Sequence, residues 1–169
     1  MKVNKQKQAT LDHTHLLSIL SYDPDVTDGT NFTWKESRGS IKKGSIGGTL
    51  INAGYWRIKI DGVARLAHRL AWFYVHGVWP KNTIDHIELG YDAKKNNSIA
   101  NLREATYTEQ SRHRVLSSNN TSGYPGVGKS PHGKWHVRIG VDGKCIHLGT
   151  YDTLDEAISV KKAAELKYW

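Results

Sequence analysis

A run of seven uncharged polar residues and glycine, Ser117 to Gly123, interrupts the chain. Such a composition favours a flexible linker, because it offers no apolar surface to bury in a helix or strand. The 169 residues therefore divide into a longer N-terminal and a shorter C-terminal piece, and each must build its own core. We predict a tail over residues 1–16, a first domain over 17–116, a linker over 117–123 and a second domain over 124–169.

Composition excludes several classes of protein. The chain is 38% hydrophobic and 24% charged, which is typical of globular domains. No run of 18 apolar residues is present, so we expect no membrane span, and the first residues lack the apolar segment of a secretory signal. The single cysteine, Cys145, excludes an intrachain disulfide and a multi-cysteine zinc site. We therefore expect the protein to be located in a reducing cytoplasm.

Charge points to a polyanionic partner. The formal net charge is +8, and the stretch from Ser111 to His147 contains six Lys and Arg residues but one acidic residue, Asp142. A basic excess of this kind is common in nucleic-acid-binding proteins. It also occurs on ordinary solvated surfaces, so charge alone leaves both readings open.

Periodicity predicts mixed α and β elements in the longer piece. Residues 55–60 alternate polar and apolar side chains as a half-buried strand does, and Asp61-Gly62 is a hairpin turn signal. Leu66, Leu70 and Phe73 form one apolar helical stripe that Gly77 can end. The predicted elements are helices over about 11–21, 66–76 and 109–116 (the last capped by Thr108) and strands at 31–34, 55–60, 63–66 and 83–87.

The residues best suited to chemistry are Asp85 and His86, followed by Asn101, Gln110 and His113. A carboxylate binds hard cations such as Mg²⁺, and an imidazole can accept a proton near neutral pH. Such a pair suits metal-assisted hydrolysis of a phosphodiester. Neighbours on a strand point to opposite sides, so one shared site needs a turn or bulge. A chance Asp-His pair in a solvated loop is the plain alternative.

Four segments in one order extend this pattern. They are His68-Arg-Leu-Ala-Trp72, Ile84-Asp-His-Ile87, Asn96-Asn97 and Ile99-Ala-Asn-Leu-Arg-Glu-Ala-Thr106. Together they resemble HNH endonucleases of the homing type, which are common in phage genomes, and the resemblance covers roughly residues 17–114. It implies a ββα-metal (His-Me finger) unit, in which two strands and a helix surround one divalent ion, Mg²⁺ or Mn²⁺.

The resemblance also implies roles for individual residues. Asp85 would be a metal ligand and His86 the general base, while Asn101 would hold the loop that orients the histidine. His68 would be a structural residue near the site. The loop between Asp85 and Asn101 is about three residues longer than the pattern usually has. Gln110 stands where the family carries an asparagine or histidine ligand, and His113 is an alternative ligand three residues further on.

The sequence pattern of the shorter piece predicts three strands and one helix. The strands span about 124–129, 134–140 and 144–151. Thr153 and Glu156 form a capping-box signature, so a helix should follow to about Tyr168. Lys134, His136 and Arg138 alternate with apolar neighbours and should share one face of the sheet. The apolar face of the helix is predicted to contain Leu154, Ala157, Ile158 and Leu166.

Several motifs here resemble the Apetala-type, or ethylene-response-factor, DNA-binding domain. They are Asn120-Thr-Ser-Gly-Tyr-Pro-Gly-Val127, Gly133-Lys-Trp135, Val137-Arg-Ile139 and His147-Leu-Gly-Thr-Tyr151. The resemblance implies a three-stranded antiparallel sheet, packed on one helix, that enters the major groove. Pro125, Gly128, Ser130 and His132 depart from the family's reading surface, so its base specificity does not carry over. The predicted DNA contacts are Lys129, Lys134, His136, Arg138 and Lys144.

We therefore predict an α+β protein with an HNH nuclease module and a DNA-binding module. The predicted function is metal-dependent, homing-type hydrolysis of double-stranded DNA, with a single ion cutting one strand at a time. The alternative is a DNA-binding protein whose HNH centre is degenerate and inactive, with an RNA-directed nuclease as a weaker third reading. We expect a monomer or weak dimer, no membrane partner, and a location in the host bacterial cytoplasm if the gene is carried by a phage.

Overall fold

The computed structural model describes residues 11–113 and 115–169, and the chain divides into two compact units. The N-terminal unit (residues 1–114) contains α1 (His13–Ile19), β1 (Leu20–Tyr22), β2 (Phe32–Trp34), β3 (Thr49–Leu50), β4 (Trp56–Ile60), β5 (Val63–Leu66), α2 (Ala67–His76), β6 (Thr83–His86), β7 (Leu102–Ala105) and α3 (Tyr107–Arg112). The C-terminal unit (residues 115–169) contains β8 (Val127–Lys129), β9 (Trp135–Val141), β10 (Lys144–Tyr151) and α4 (Leu154–Tyr168). The predicted α+β class is confirmed.

Antiparallel sheets surround α2 in the N-terminal unit. β1 pairs with β2, β4 lies between β3 and β5, and β6 pairs with β7. Ile58 and Ile60 alternate along β4 toward the core, as the sequence pattern predicts, and both are fully buried. They join Leu70 of α2 and Phe32 of β2 in one apolar cluster. Helix α2 ends where predicted, at Gly77 in the left-handed conformation that glycine tolerates best.

The start of the N-terminal unit differs from the sequence prediction. The first helix is shorter than 11–21, because Leu20–Tyr22 pairs with β2 as a strand. Leu16 is fully buried, and the His13 ring contacts the backbone of Tyr74 through a 2.9 Å hydrogen bond. Residues 11–16 therefore belong to the packed unit and not to a tail. The rest of the predicted tail, residues 1–10, lies outside the described residues.

Helix α3 also differs from its prediction. Its N-cap is Thr106 and not Thr108, because the Thr106 hydroxyl accepts the backbone N–H of Glu109 while the Glu109 carboxylate accepts that of Thr106. This capping box fixes the start of the helix two residues earlier. The helix ends at Arg112, short of the predicted Leu116, and His113 is its C-cap.

The C-terminal unit is a three-stranded antiparallel sheet with β9 in the centre and α4 packed on one face. Val127, Val137 and Ala157 form its core. The predicted capping box of Thr153 and Glu156 is present at the start of α4. Leu166 was predicted on the apolar face of this helix, but it is 90% exposed, so that prediction is wrong.

The segment 117–123, predicted as a flexible linker, is held by hydrogen bonds. Asn120 Oδ1 accepts the backbone N–H of Gly123 at 2.8 Å, and Ser122 Oγ donates to the Val127 carbonyl at 2.8 Å. Ser122 is itself buried. Side-chain to backbone bonds of this kind compete with disorder in Ser- and Asn-rich runs. The segment is therefore an ordered start of the C-terminal unit.

Helices long and apolar enough to cross a membrane are absent from the described parts of the chain.

Candidate functional site

The β6–β7 hairpin places the two central candidates side by side. Asp85 pairs across the strands with Arg103, and His86 pairs with Leu102. Both Asp85 and His86 are 7% exposed, which is unusual for ionisable side chains unless they have partners. The plain reading of Asp85 as a solvated loop residue is therefore wrong.

Asp85 sits between a cation and an imidazole. Its Oδ2 accepts hydrogen bonds from Arg103 Nη2 at 3.0 Å and Nε at 3.2 Å. The same oxygen lies 3.0 Å from Nδ1 of His113. Since His113 directly follows α3, the end of this helix brings a second metal-ligating type of side chain to the carboxylate.

His86 has a different set of neighbours from Asp85, as the alternation of a strand requires. Its Nε2 lies 3.4 Å from Oδ1 of Asn97. Its ring is 5.2 Å from the ring of His68 in an edge contact and 6.0 Å from the ring of Tyr55. The site thus has two adjoining halves, a carboxylate–imidazole half at Asp85 and a half in which aromatic rings enclose His86.

Asn97 places its side-chain amide oxygen against Nε2 of His86, a contact that the sequence did not reveal. It is fully buried, and its Nδ2 donates to the carbonyls of Gly29 at 2.6 Å and Lys95 at 3.1 Å. These bonds turn Oδ1 toward His86, an arrangement that favours the His86 tautomer with its hydrogen on Nε2, which can donate to that oxygen. Nδ1 is then the nitrogen with the free lone pair. The only sequence signal was the Asn96-Asn97 pair inside a polar loop.

Asn101 ties the loop after His86 to the second strand. Its Oδ1 accepts the backbone N–H of Glu88 at 2.8 Å, and its Nδ2 donates to the carbonyl of Asn96 at 3.0 Å. The backbone N–H of Ile87 donates to the Asn101 carbonyl at 2.8 Å. These contacts are those that a loop-holding residue would make. Within the described residues Asn101 makes no hydrogen bond to His86, and its contacts are with the loop that follows His86.

Burial sets the protonation of the two histidines. It lowers the pKa of His68 to about 3, so this ring is neutral. Burial also lowers the pKa of His86, against the Asn97 hydrogen bond and the charge of Asp85, which raise it. The pKa of Tyr55 is raised by burial and by Asp85. A neutral His86 near pH 7 is the form that can accept a proton.

The donor set fits a divalent ion only in part. Two ligand atoms about 2.1 Å from one octahedral ion, at right angles to each other, lie roughly 3 Å apart. Asp85 Oδ2 and His113 Nδ1 have that 3.0 Å separation. Groups of three or more His, Cys, Asp or Glu that could hold a metal are absent from residues 11–113 and 115–169. Bound water and a phosphate would have to complete the shell, as they commonly do for Mg²⁺.

Gln110 does not share in this pairing. Within the described residues it makes only the helical backbone bond to Thr106, and its half-buried side chain has no polar partner. His113 and not Gln110 is therefore the α3-side residue that the structure brings to Asp85.

The sheet of the C-terminal unit has an outer face, opposite α4, that contains only part of the predicted DNA-contact set. Arg138 is exposed there, and its Nη2 donates to Nε2 of His136 at 3.2 Å. A Cβ on Gly128 would lie 2.7 Å from the His136 ring, so this ring rests against the glycine backbone. His147, which the sequence did not single out as a contact, pairs across the strands with Arg138.

The three predicted lysine contacts differ from His136 and Arg138, Lys134 by its acidic partner and Lys129 and Lys144 by their row in the sheet. Lys134 pairs with Asp152 at 2.8 Å. Lys129 lies over the Trp135 ring, 5.5 Å from its centroid, and is aligned with Trp135 in the sheet. Lys144 is exposed and aligned with Val141. By strand alternation, Lys129 and Lys144 do not belong to the row of His136 and Arg138.

Comparison with known proteins supports a nuclease. Residues 65–112 match the family model HNH_3, described as HNH endonuclease. The match runs from β5 to the end of α3 and includes Asp85, His86, Asn101 and Gln110. The match suggests nuclease activity on DNA, and HNH nucleases generally depend on a divalent metal. Neither the curated proteins nor the solved structures gave a match.

Proposed function

We propose that the chain is a metal-dependent HNH endonuclease that hydrolyses phosphodiester bonds of double-stranded DNA, with β6, β7 and α3 as a ββα-metal unit. The observation that carries this proposal is the arrangement around β6. Asp85 and His113 meet at 3.0 Å, and the next residue, His86, is held as a neutral imidazole against Asn97. Ion-binding groups and a base thus occupy adjoining halves of one site; Asp85 and His86 lie inside the matched segment, and His113 directly follows its last residue.

Each residue has a separate task in the proposed hydrolysis. Asp85 and His113 would hold one divalent ion, which supplies Lewis-acid stabilisation of the charge on the phosphate and on the leaving 3′ oxygen. His86 accepts a proton at Nδ1 from the attacking water, while its Nε2–H continues to donate to the Asn97 amide oxygen. The new bond joins the water oxygen to phosphorus and the P–O3′ bond breaks; the leaving 3′ oxygen takes a proton from solvent water and becomes a hydroxyl, and His86 returns its proton to solvent. Asn101 holds the loop that follows His86 in place through its bonds to Glu88 and Asn96.

The metal preference follows from the ligands. A carboxylate oxygen suits both Mg²⁺ and Mn²⁺, but an imidazole nitrogen is a poorer ligand for Mg²⁺. With His113 in the site and Gln110 outside it, we propose stronger support of cleavage by Mn²⁺ than by Mg²⁺. With one ion and one base per chain, each cleavage event nicks a single strand.

The C-terminal unit is proposed to hold the DNA. His136, Arg138 and His147 give its outer face a polar, basic centre, with Lys129, Lys134 and Lys144 as further phosphate contacts. A tethered binding unit raises the local concentration of a cutting unit on its substrate. This pairing of functions is the basis for proposing a homing-type endonuclease.

Conversion of supercoiled DNA to open circles tests the proposal. The full chain is incubated with plasmid and Mg²⁺, Mn²⁺ or EDTA, beside Asp85→Asn and the exposed-site control Asp25→Asn. We expect open circles only with a metal ion, with the control unchanged and Asp85→Asn inactive or nearly so. Equal conversion by Asp85→Asn and the control would contradict the proposal.

A second function has one observation in its favour. Asp85 and His113 supply two atoms that could bind a metal ion, and within the described residues Gln110 is not paired with either of them. If the centre has lost its ion, the chain is a DNA-binding protein with an inactive HNH unit. That reading predicts a gel shift of the DNA with no open circles in either metal.

A further inference from the structure

We propose that Lys94 binds a phosphate of the DNA at the Asp85–His86 site and adds positive charge beside the reacting group. This inference deepens the proposed nuclease function and rests on it. Lys94 lies on the short 3₁₀ helix Asp92–Lys95, within the loop that joins β6 to β7. It belongs to none of the positions discussed as ligands or base.

The position of Lys94 follows from its contacts. Its Nζ lies 5.0 Å from the centre of the Tyr55 ring, and the same ring lies 6.0 Å from that of His86. Tyr55 thus bridges the ammonium group and the histidine.

The loop that carries Lys94 is anchored. A Cβ on Gly54 would lie 2.8 Å from the Tyr91 ring, so Tyr91 packs directly on the backbone beside Tyr55. On the other side of Lys94, the Lys95 carbonyl accepts a hydrogen bond from the buried Asn97. The chain is therefore anchored on both sides of Lys94, and the Lys94 side chain is half-buried.

Lys94 differs from its cationic neighbours in lacking an acidic partner. Arg103 is paired with Asp85 at 3.0 Å, and Lys95 is paired with Asp92 at 2.7 Å. In the described parts of the chain, Lys94 has no carboxylate within ion-pair distance, although its side chain is half-buried. A partly desolvated ammonium with only a ring face for company favours an anion. The anion that this site is proposed to receive is a phosphodiester.

The expected effect on catalysis is large. Charge placed where a transition state gains charge is worth about 10²- to 10³-fold in rate per group removed. Lys94→Ala should therefore lower single-turnover nicking of plasmid at saturating protein by about 10²-fold. Lys94→Arg retains the charge and should keep most of the rate. Lys95→Ala is the matched control, since it removes a neighbouring lysine that is already paired, and its rate should change less than about threefold.

A binding measurement separates this inference from the nuclease proposal. Affinity for a fluorescent duplex in EDTA is measured against salt, where each phosphate contact contributes about 0.9 to the log–log slope. Lys94→Ala should reduce the slope by about that amount and Lys95→Ala by much less, with equal unfolding midpoints. If the wild-type chain does not nick but this slope difference appears, the phosphate contact stands and the nuclease function fails. If the wild-type chain nicks and the two variants match in rate and slope, Lys94 has no such role.

Discussion

The candidate functional side chains are buried in the N-terminal unit and exposed in the C-terminal unit. In the N-terminal unit the candidate catalytic groups are buried, with Asp85 and His86 at 7% exposure and Asn97 at 0%. In the C-terminal unit the candidate DNA contacts His136 and Arg138 lie on an open sheet face, where Arg138 is exposed and, among the described residues, bonds to His136. The difference matches the two tasks we propose for the units.

Burial and exposure have different electrostatic consequences. Inside the N-terminal unit, burial changes pKa values and each polar group needs a defined partner. On the open sheet, charges keep their hydration and act by long-range attraction that salt screens. A buried site with fixed orientation, as in the N-terminal unit, therefore suits catalysis. An open face on which many weak contacts add up, as in the C-terminal unit, suits DNA binding. Each prediction below changes one side of this contrast.

The largest effect is expected from Asn97. Asn97→Ala removes the acceptor of His86 and the donors to Gly29 and Lys95, so it loses both the fixed tautomer and the loop anchor. We expect nicking to fall by about 10²-fold or more and the free energy of unfolding to fall by about 1–3 kcal/mol. The exposed Asn82→Ala is the control for both measurements. A variant of Asn97 that nicks as fast as Asn82→Ala would show that His86 does not depend on this contact.

Next in size is the pH dependence of stability caused by His68. The pKa of His68 is about 3 in the folded chain and close to 6.5 when unfolded, so between these values the unfolded state binds more protons. The free energy of unfolding therefore falls as pH drops below about 6.5, by up to roughly 1.4 kcal/mol per pH unit. Urea unfolding of the full chain across pH 4–7 measures this.

A pair of variants isolates the contribution of His68. His68→Gln has no group to protonate in this range, so its stability should depend less on pH than that of the exposed control His76→Gln. If both variants show the same pH slope, the buried neutral state of His68 is not what the acid sensitivity reports.

The smallest effect is expected on the open sheet. Arg138→Ala should lower the log–log salt slope of DNA binding by about 0.9, which is roughly tenfold less affinity change per tenfold change in salt. The contrast with the N-terminal unit lies in stability, which should change by less than about 0.5 kcal/mol because Arg138 is exposed. Ser159→Ala on α4 is the matched control. A slope unchanged from that control would mean that this face does not meet DNA.

How much the sequence could predict depended on the kind of signal. The alternation of polar and apolar residues correctly predicted β4 and its buried residues Ile58 and Ile60. Gly77 correctly predicted the end of α2. Both are local patterns. The end of α1 was wrong because Leu20–Tyr22 pairs with β2, a contact that local periodicity does not encode. Leu166 was wrong for a different reason: at about 100° per residue it lies roughly opposite Ala157, away from the buried stripe of Ala157, Lys161 and Ala164.

The candidate site shows the same limit. Spacing along the chain singled out Asp85, His86 and Asn101, but it left Gln110 and His113 as open alternatives for one position. Only the path of α3 after its Thr106 cap brings His113 to Asp85. The tasks of Asn97 and Lys94 depend on how a long polar loop folds back on Gly29 and Tyr55. No composition or period predicts such a return.

Chemical rescue of His86 tests the central claim most directly. Single-turnover nicking of plasmid by His86→Ala in Mn²⁺ is measured with and without added imidazole, beside His76→Ala. We predict a loss of about 10²- to 10⁴-fold for His86→Ala, partial recovery with imidazole, and no change for the control. A His86→Ala chain that nicks at the wild-type rate would contradict the account, because the buried histidine would then not be the base.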